Sequence, residues 1–61
     1  MKYSDLKKYL KENGCKFVQE GANHEIWYSE KTNKKFPIDR HNSKEVATGT
    51  LKAILKQAGL E

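Results

Sequence analysis

The apolar residues of this chain change their spacing twice, from helical to strand-like and back, and that double switch restricts the folds it can adopt. Tyr3, Leu6 and Leu10 stand at i, i+3 and i+7 with Tyr9 beside them, which predicts one core-facing helical stripe. Lys7, Lys8 and Lys11 fall mostly elsewhere and form an outward basic face. Ser4 is placed to cap the helix start, Asp5 suits the positive end of its dipole, and Asn13-Gly14 supplies a left-handed ending. From Cys15 the residues become β-prone. Lys16 to Gln19, His24 to Ser29 and Lys35 to Arg40 read as short strands, separated by Glu20-Gly21-Ala22-Asn23 and by the polar Glu30 to Lys34. Phe36 and Ile38 share a face of the third run, and Pro37 between them lacks an amide donor, which predicts a sheet edge. Helical spacing returns at Leu51, Ile54, Leu55 and Ala58, with a hydroxyl cap offered by Thr48 to Thr50 and a C-terminal cap by Gly59.

The resulting order is α-β-β-β-α. Three consecutive strands joined by short loops form an antiparallel meander, and a small sheet needs both helices on one face to bury its apolar side. The expected fold is therefore a two-layer α+β domain spanning residues 1–61. At 61 residues the chain has room for one small core and no multi-site machinery. Its single cysteine, Cys15, cannot form an internal disulfide, which predicts a reducing, cytoplasmic compartment and a structural thiol. Its longest apolar runs, Ile26 to Tyr28 and Ala53 to Leu55, are far below the roughly 20 residues of a membrane span. No signal peptide or anchor is expected, since the N-terminus has no apolar h-region.

The net charge is +4, which favours a polyanion or an acidic protein as partner. Lys31, Lys34, Lys35, Arg40 and Lys44, opposed only by Asp39, concentrate that excess between residues 31 and 44 and suggest phosphate binding. His24 follows a turn at the mouth of a strand, where a side chain is both held and reachable, and its ordinary pKa of about 6.5 suits proton transfer. His41 ends the next strand, and antiparallel pairing brings those two ends together. Such a pair can remove a 2′-hydroxyl proton and protonate a leaving 5′-oxygen. The spacing of His24, Asp39, His41 and Cys15 does not match structural zinc sites. Trp27 is open to two readings, core packing or stacking on a base or partner. Phe17 and Val18 are adjacent, so both cannot face one layer, and an exposed apolar face in so small a protein implies a partner.

The chain resembles HicA-type toxins of bacterial toxin–antitoxin pairs over nearly its whole length. The resemblance runs through Asn13-Gly14-Cys15-Lys16-Phe17, then Ala22-Asn23-His24, where the family commonly has Gly-Ser-His. It continues at His41, where the family commonly has Pro-x-His and this chain has Asp39 in place of the proline. Its most distinctive part is Gly49-Thr50-Leu51-Lys52-Ala53-Ile54-Leu55-Lys56-Gln57-Ala58-Gly59-Leu60. The resemblance implies a double-stranded-RNA-binding-domain-like fold, cleavage of mRNA without metal or other cofactor, and His24 as catalytic histidine. Lys31, Lys34, Lys35, Arg40, Lys44 and His41 are then the expected RNA-binding residues. It also implies a HicB-type antitoxin as partner, with operator DNA engaged only through that antitoxin. A non-catalytic RNA-binding module of the same fold is the alternative, and an interaction subunit using Trp27 and lysines against an acidic partner is a third reading.

Overall fold

A computed structural model describes residues 1–61. Helix α1 (Tyr3–Glu12) is followed by β1 (Cys15–Glu20), β2 (His24–Ser29), β3 (Lys34–Asp39) and α2 (Thr48–Ala58). The strands form one antiparallel sheet in the order β1-β2-β3, which makes β3 an edge, as Pro37 requires. The α-β-β-β-α order and the meander agree with the sequence expectation, the strand limits shifting by a residue or so.

Register explains why both helices share one face. Phe17, Trp27 and Phe36 lie side by side across the three strands, and alternation turns Cys15, Ser29 and Ile38 the same way. Against them pack Tyr3, Leu6 and Leu10 of α1 with Ile54 and Ala58 of α2, closing a core of nine buried residues. Full burial of side chains such as Leu6 or Phe36 contributes about 1.5–3 kcal/mol each. Trp27 is only 2% exposed, so the stacking and partner-contact readings of this residue are replaced by core packing. Its Nε1–H donates to Glu25 Oε1 at 3.0 Å, and the Phe17 ring meets it edge-on with centroids 6.3 Å apart.

The ladder breaks once, between Phe17 and Gln19, where the extra residue Val18 makes a bulge. Phe17 and Val18 both remain exposed, at 45% and 38%. The opposite sheet face, carrying Lys16, Ile26, Tyr28, Lys35 and Pro37, has no helix over it.

Four details of the helices differ from the sequence reading. Lys7 is buried rather than outward, its Nζ donating to Asn42 Oδ1 at 2.6 Å and pairing with Glu25 Oε1 at 3.1 Å. Tyr9, assigned to the core stripe, is exposed. Ser4 lies inside α1 instead of capping it, because the segment after β3 supplies backbone acceptors: Tyr3 N–H donates to Lys44 O and Ser4 N–H to Asn42 O, each at 3.0 Å. Likewise α2 starts from Ala47 with no side-chain cap, although Thr48 to Thr50 offer hydroxyls.

The far end of α2 is fastened to the β2–β3 hairpin. The buried Ser29 hydroxyl donates to Ala58 O at 2.7 Å, and Thr32 Oγ1 donates to Gln57 O at 2.8 Å. Gly59 ends the helix in the left-handed region at φ +76°, and a Cβ there would stand 2.7 Å from Thr32 Cγ2, so glycine is needed for both conformation and clearance. Asn33 takes the left-handed position of the hairpin at φ +57°.

Candidate functional site

His24 is exposed at the first position of β2, immediately after the turn Gly21-Ala22-Asn23. Two features shape that turn. Gly21 N–H donates to the His24 carbonyl at 2.6 Å, and a Cβ on residue 21 would come within 2.9 Å of the same oxygen. From β3's end the Arg40 guanidinium donates to Gly21 O and Ala22 O, both at 3.1 Å, and pairs with Glu20 Oε2 at 3.5 Å. Arg40 thus clasps the turn that presents His24.

The register partner of His24 is Asp39. Asp39 Oδ1 accepts the His41 backbone N–H at 2.8 Å and meets His41 Nδ1 at 2.8 Å, while Oδ2 accepts from Lys44 Nζ at 3.3 Å. The two bonds from His41, aided by Lys44, hold this carboxyl well below the usual carboxylate range. The structure therefore brings both histidines to one end of the sheet, with an ionised carboxylate between them.

His24 and Asp39 line a cleft of about 520 Å³ between β3 and α2, together with Tyr3, Pro37, Gly49, Thr50 and Ala53. The first turn of an α-helix has amides without intrahelical partners and carries the positive end of the dipole. Here that turn contributes Gly49 and Thr50 to the cleft wall, has no acidic residue, and leaves open space where a Gly49 side chain would stand. A helix start of this kind is suited to an anionic group. Gly49 and Thr50 were read from the sequence only as a helix start, and their place beside His24 follows from how α2 packs across β3.

A network behind the site joins α1 to the strand carrying His24. Glu25 accepts from Trp27 and pairs with Lys7, which also reaches Asn42 in the segment beyond His41. Burial alone would push the Glu25 carboxyl up. The hydrogen bonds from Trp27 and Lys7 and the charges of Lys7 and Arg40 outweigh it and hold the group below its ordinary value. Cys15 moves the other way, since burial raises its thiol above its ordinary value against a weaker effect of Ser29. That is the environment of an inert, structural cysteine.

The basic residues are not gathered as the sequence suggests. The hairpin loop and the histidines occupy opposite ends of β2 and β3, about 17 Å apart for a strand of this length. Lys31, Lys34 and Lys35 belong to the hairpin end, while Arg40 and Lys44 sit at the histidine end and are engaged with Glu20, the turn carbonyls and Asp39. Lys16, which the sequence reading did not single out, joins the hairpin-end group, with its Nζ 5.7 Å from the Tyr28 ring centroid. Its signal is register: Lys16, Tyr28 and Lys35 form one row across the open face.

No three His, Cys, Asp or Glu side chains converge in a metal-binding arrangement, and no helix is long and apolar enough to cross a membrane. The family described as the HicA toxin of bacterial toxin–antitoxin matches over residues 3–60. Among solved structures, the crystal structure of the E. coli HicAB toxin–antitoxin complex contains a chain of similar fold, with a TM-score of 0.84 and 30% identity. The similarity covers 98% of this chain and 100% of that one. No curated protein sequence matches significantly. With a family match across almost every residue and the same fold at full coverage, the chain belongs to the HicA family of toxins of bacterial toxin–antitoxin systems.

Proposed function

We propose that this toxin is a cytoplasmic endoribonuclease that cleaves mRNA, with His24 as the histidine on which cleavage depends. The observation that carries the reading is the placement of an exposed His24 across a cleft from the start of α2. A phosphodiester seated against the Gly49 and Thr50 end of that helix would meet a positive dipole, and His24 would then be within reach of its 2′-hydroxyl. The imidazole removes that proton as the 2′-oxygen attacks phosphorus. Lys31, Lys34 and Lys35 would guide the strand from the hairpin end, with Lys44, His41 and Arg40 near the reacting phosphate. The bond from phosphorus to the 5′-oxygen breaks in the same step, and no metal or other cofactor is called on.

The E. coli chain of similar fold comes from a HicAB toxin–antitoxin complex, and on that likeness this chain is proposed to be silenced by a HicB-type antitoxin and to reach operator DNA only through it. The open sheet face and the exposed Phe17 and Val18 give such a partner apolar surface to cover.

Cleavage of single-stranded RNA in vitro, with growth arrest on induction, tests the reading. His24→Ala should lower the cleavage rate by about 100-fold or more, the usual contribution of a positioned acid or base, while chelator leaves the wild type unaffected. A wild-type protein that binds RNA without cutting it would establish the non-catalytic module instead. Equal cleavage by His24→Ala would remove the histidine from the mechanism, and loss of activity in chelator would require a metal.

A further inference from the structure

The Asp39–His41 pair stands in the site without a role in the cleavage step just described. An ionised carboxylate can only accept hydrogen bonds. The His41 nitrogen 2.8 Å from Asp39 Oδ1 must therefore be the N–H donor, which fixes the tautomer and leaves Nε2 as the ring's reactive atom. The same oxygen also holds the His41 backbone N–H at 2.8 Å, so ring and backbone are gripped from one point. Lys44 Nζ fills the other carboxylate oxygen at 3.3 Å. Asp39 hydrogen-bonds His41 and Lys44 and not His24, although His24 and Asp39 are register partners and line the same cleft. The His41 side chain is 73% exposed and stands outside the lining of that cleft, two residues beyond Asp39, which lines it.

From this geometry we infer that His41 is a second catalytic residue, the general acid that protonates the leaving 5′-oxygen, with Asp39 as its positioning residue. The inference rests on the ribonuclease reading and completes its proton accounting. A protonated His41 carries one positive charge, which the neighbouring Asp39 carboxylate offsets, whereas Asp39 makes no hydrogen bond or ion pair with His24. His24 takes the proton of the 2′-hydroxyl as the 2′-oxygen bonds to phosphorus. The bond from phosphorus to O5′ breaks, its electron pair stays on O5′, and that oxygen takes the proton from His41 Nε2. The products are a 2′,3′-cyclic phosphate and a 5′-hydroxyl end. His24 is left protonated and His41 neutral, and exchange with solvent restores both. Besides Asp39, the charged and titratable groups at this end of the sheet are Lys44, Arg40, Glu20 and His24. In this chain Asp39 stands where the resembling family commonly has proline, so the dyad is a property of this sequence rather than of the shared pattern.

The decisive test compares two RNA oligonucleotides of one sequence, one natural and one with sulfur replacing the bridging 5′-oxygen at the cleaved position. A thiolate leaves without needing a proton, so it makes a general acid dispensable. His41→Ala and His41→Gln should each lower kcat on the natural oligonucleotide by about 100-fold, yet cut the sulfur-containing one within about fivefold of the wild-type rate. Asp39→Asn should show the same selectivity with a smaller loss, about tenfold, because the amide holds the ring but does not offset its charge. Binding of a non-cleavable 2′-deoxy analogue should weaken far less than kcat falls in all three variants, and each should remain folded at the assay temperature. Equal impairment on both oligonucleotides would assign His41 to folding or RNA binding and overturn the inference. Full activity of His41→Ala on the natural oligonucleotide, with His24→Ala inactive, would overturn it while leaving the ribonuclease reading intact. A wild-type protein that cuts neither would overturn both.

Discussion

The two ends of the sheet are built on opposite principles. At the hairpin end the Ser29 hydroxyl reaches the last carbonyl of α2, Thr32 reaches the one before it, and Gly59 lets the chain turn against Thr32 without a clash. There the polar groups are spent on holding the helix to the strands. At the histidine end α2 begins without a side-chain cap, its first turn borders a cleft, and His24, His41 and Lys44 are exposed. Polar groups at that end hold His41 and the turn that presents His24, besides tying α1 to the strands through Lys7. A helix tied at its C-terminus and open at its N-terminus makes a wedge, with the fastening of α2 at one end and the proposed cleavage residues at the other.

Ser29→Ala should give the largest effect on stability. It removes a fully buried donor and leaves the Ala58 carbonyl without that partner, which costs about 1–3 kcal/mol. In a chain this small such a loss is a large fraction of the total. Urea unfolding should show the shift, while cleavage per folded molecule stays at the wild-type level. A selective loss of catalysis with unchanged stability would show that the two ends are not separable.

Arg40→Ala is the converse. It releases the carbonyls of Gly21 and Ala22 and so loosens the turn that aims His24, but it touches no core residue. Cleavage should fall by about tenfold, a change of about 1.4 kcal/mol in the barrier, with the unfolding midpoint nearly unchanged. Arg40→Lys should recover little, since a lysine cannot present two donors in the fixed geometry of a guanidinium. If binding of uncleavable RNA falls as much as the rate, Arg40 acts as a phosphate ligand rather than a clasp.

Much of this division was legible in the sequence and part was not. The element order followed from apolar spacing because that spacing is what lets each element bury one face. The edge position of β3 followed from a single proline. Placement of His24 and His41 at one sheet end followed from antiparallel connectivity. Three-dimensional grouping of charge did not, because a hairpin doubles back: Lys31 and Arg40 are close in sequence but lie at opposite ends of the sheet. Lys7 was misplaced for a related reason. Helical periodicity gives the direction of a side chain but not the partners waiting there, and Glu25 and Asn42 come from strands and loops far along the chain. Asp39 was visible as the one negative charge among residues 31–44 and as a departure from the HicA-like pattern, but its hold on His41 needed coordinates. The Ser4 cap failed as a prediction because backbone carbonyls beyond β3 reached the start of α1 first.

The smallest expected effect lies in the acid limb of stability, and it separates the two ends by pH. Asp39 and Glu25 are both ionised more readily in the folded protein than in the unfolded chain, where carboxyls titrate near 4. Between the folded and unfolded values the unfolded state binds more protons, so stability rises with pH through that range. Their contribution is therefore complete above pH about 5 and is lost progressively as the solution is acidified below about 4. Asp39→Asn removes one of the two groups and should flatten the dependence of the urea midpoint on pH between about 2 and 5, lowering the midpoint slightly above pH about 5 and leaving it nearly unchanged at pH about 2. Ser29→Ala should instead lower the midpoint by a similar amount at every pH, because the hydroxyl does not titrate in this range. Parallel curves for wild type and Asp39→Asn would mean that the carboxylate is as well stabilised in the unfolded chain, and the histidine end would then owe its order to Arg40 and the Lys7 network alone.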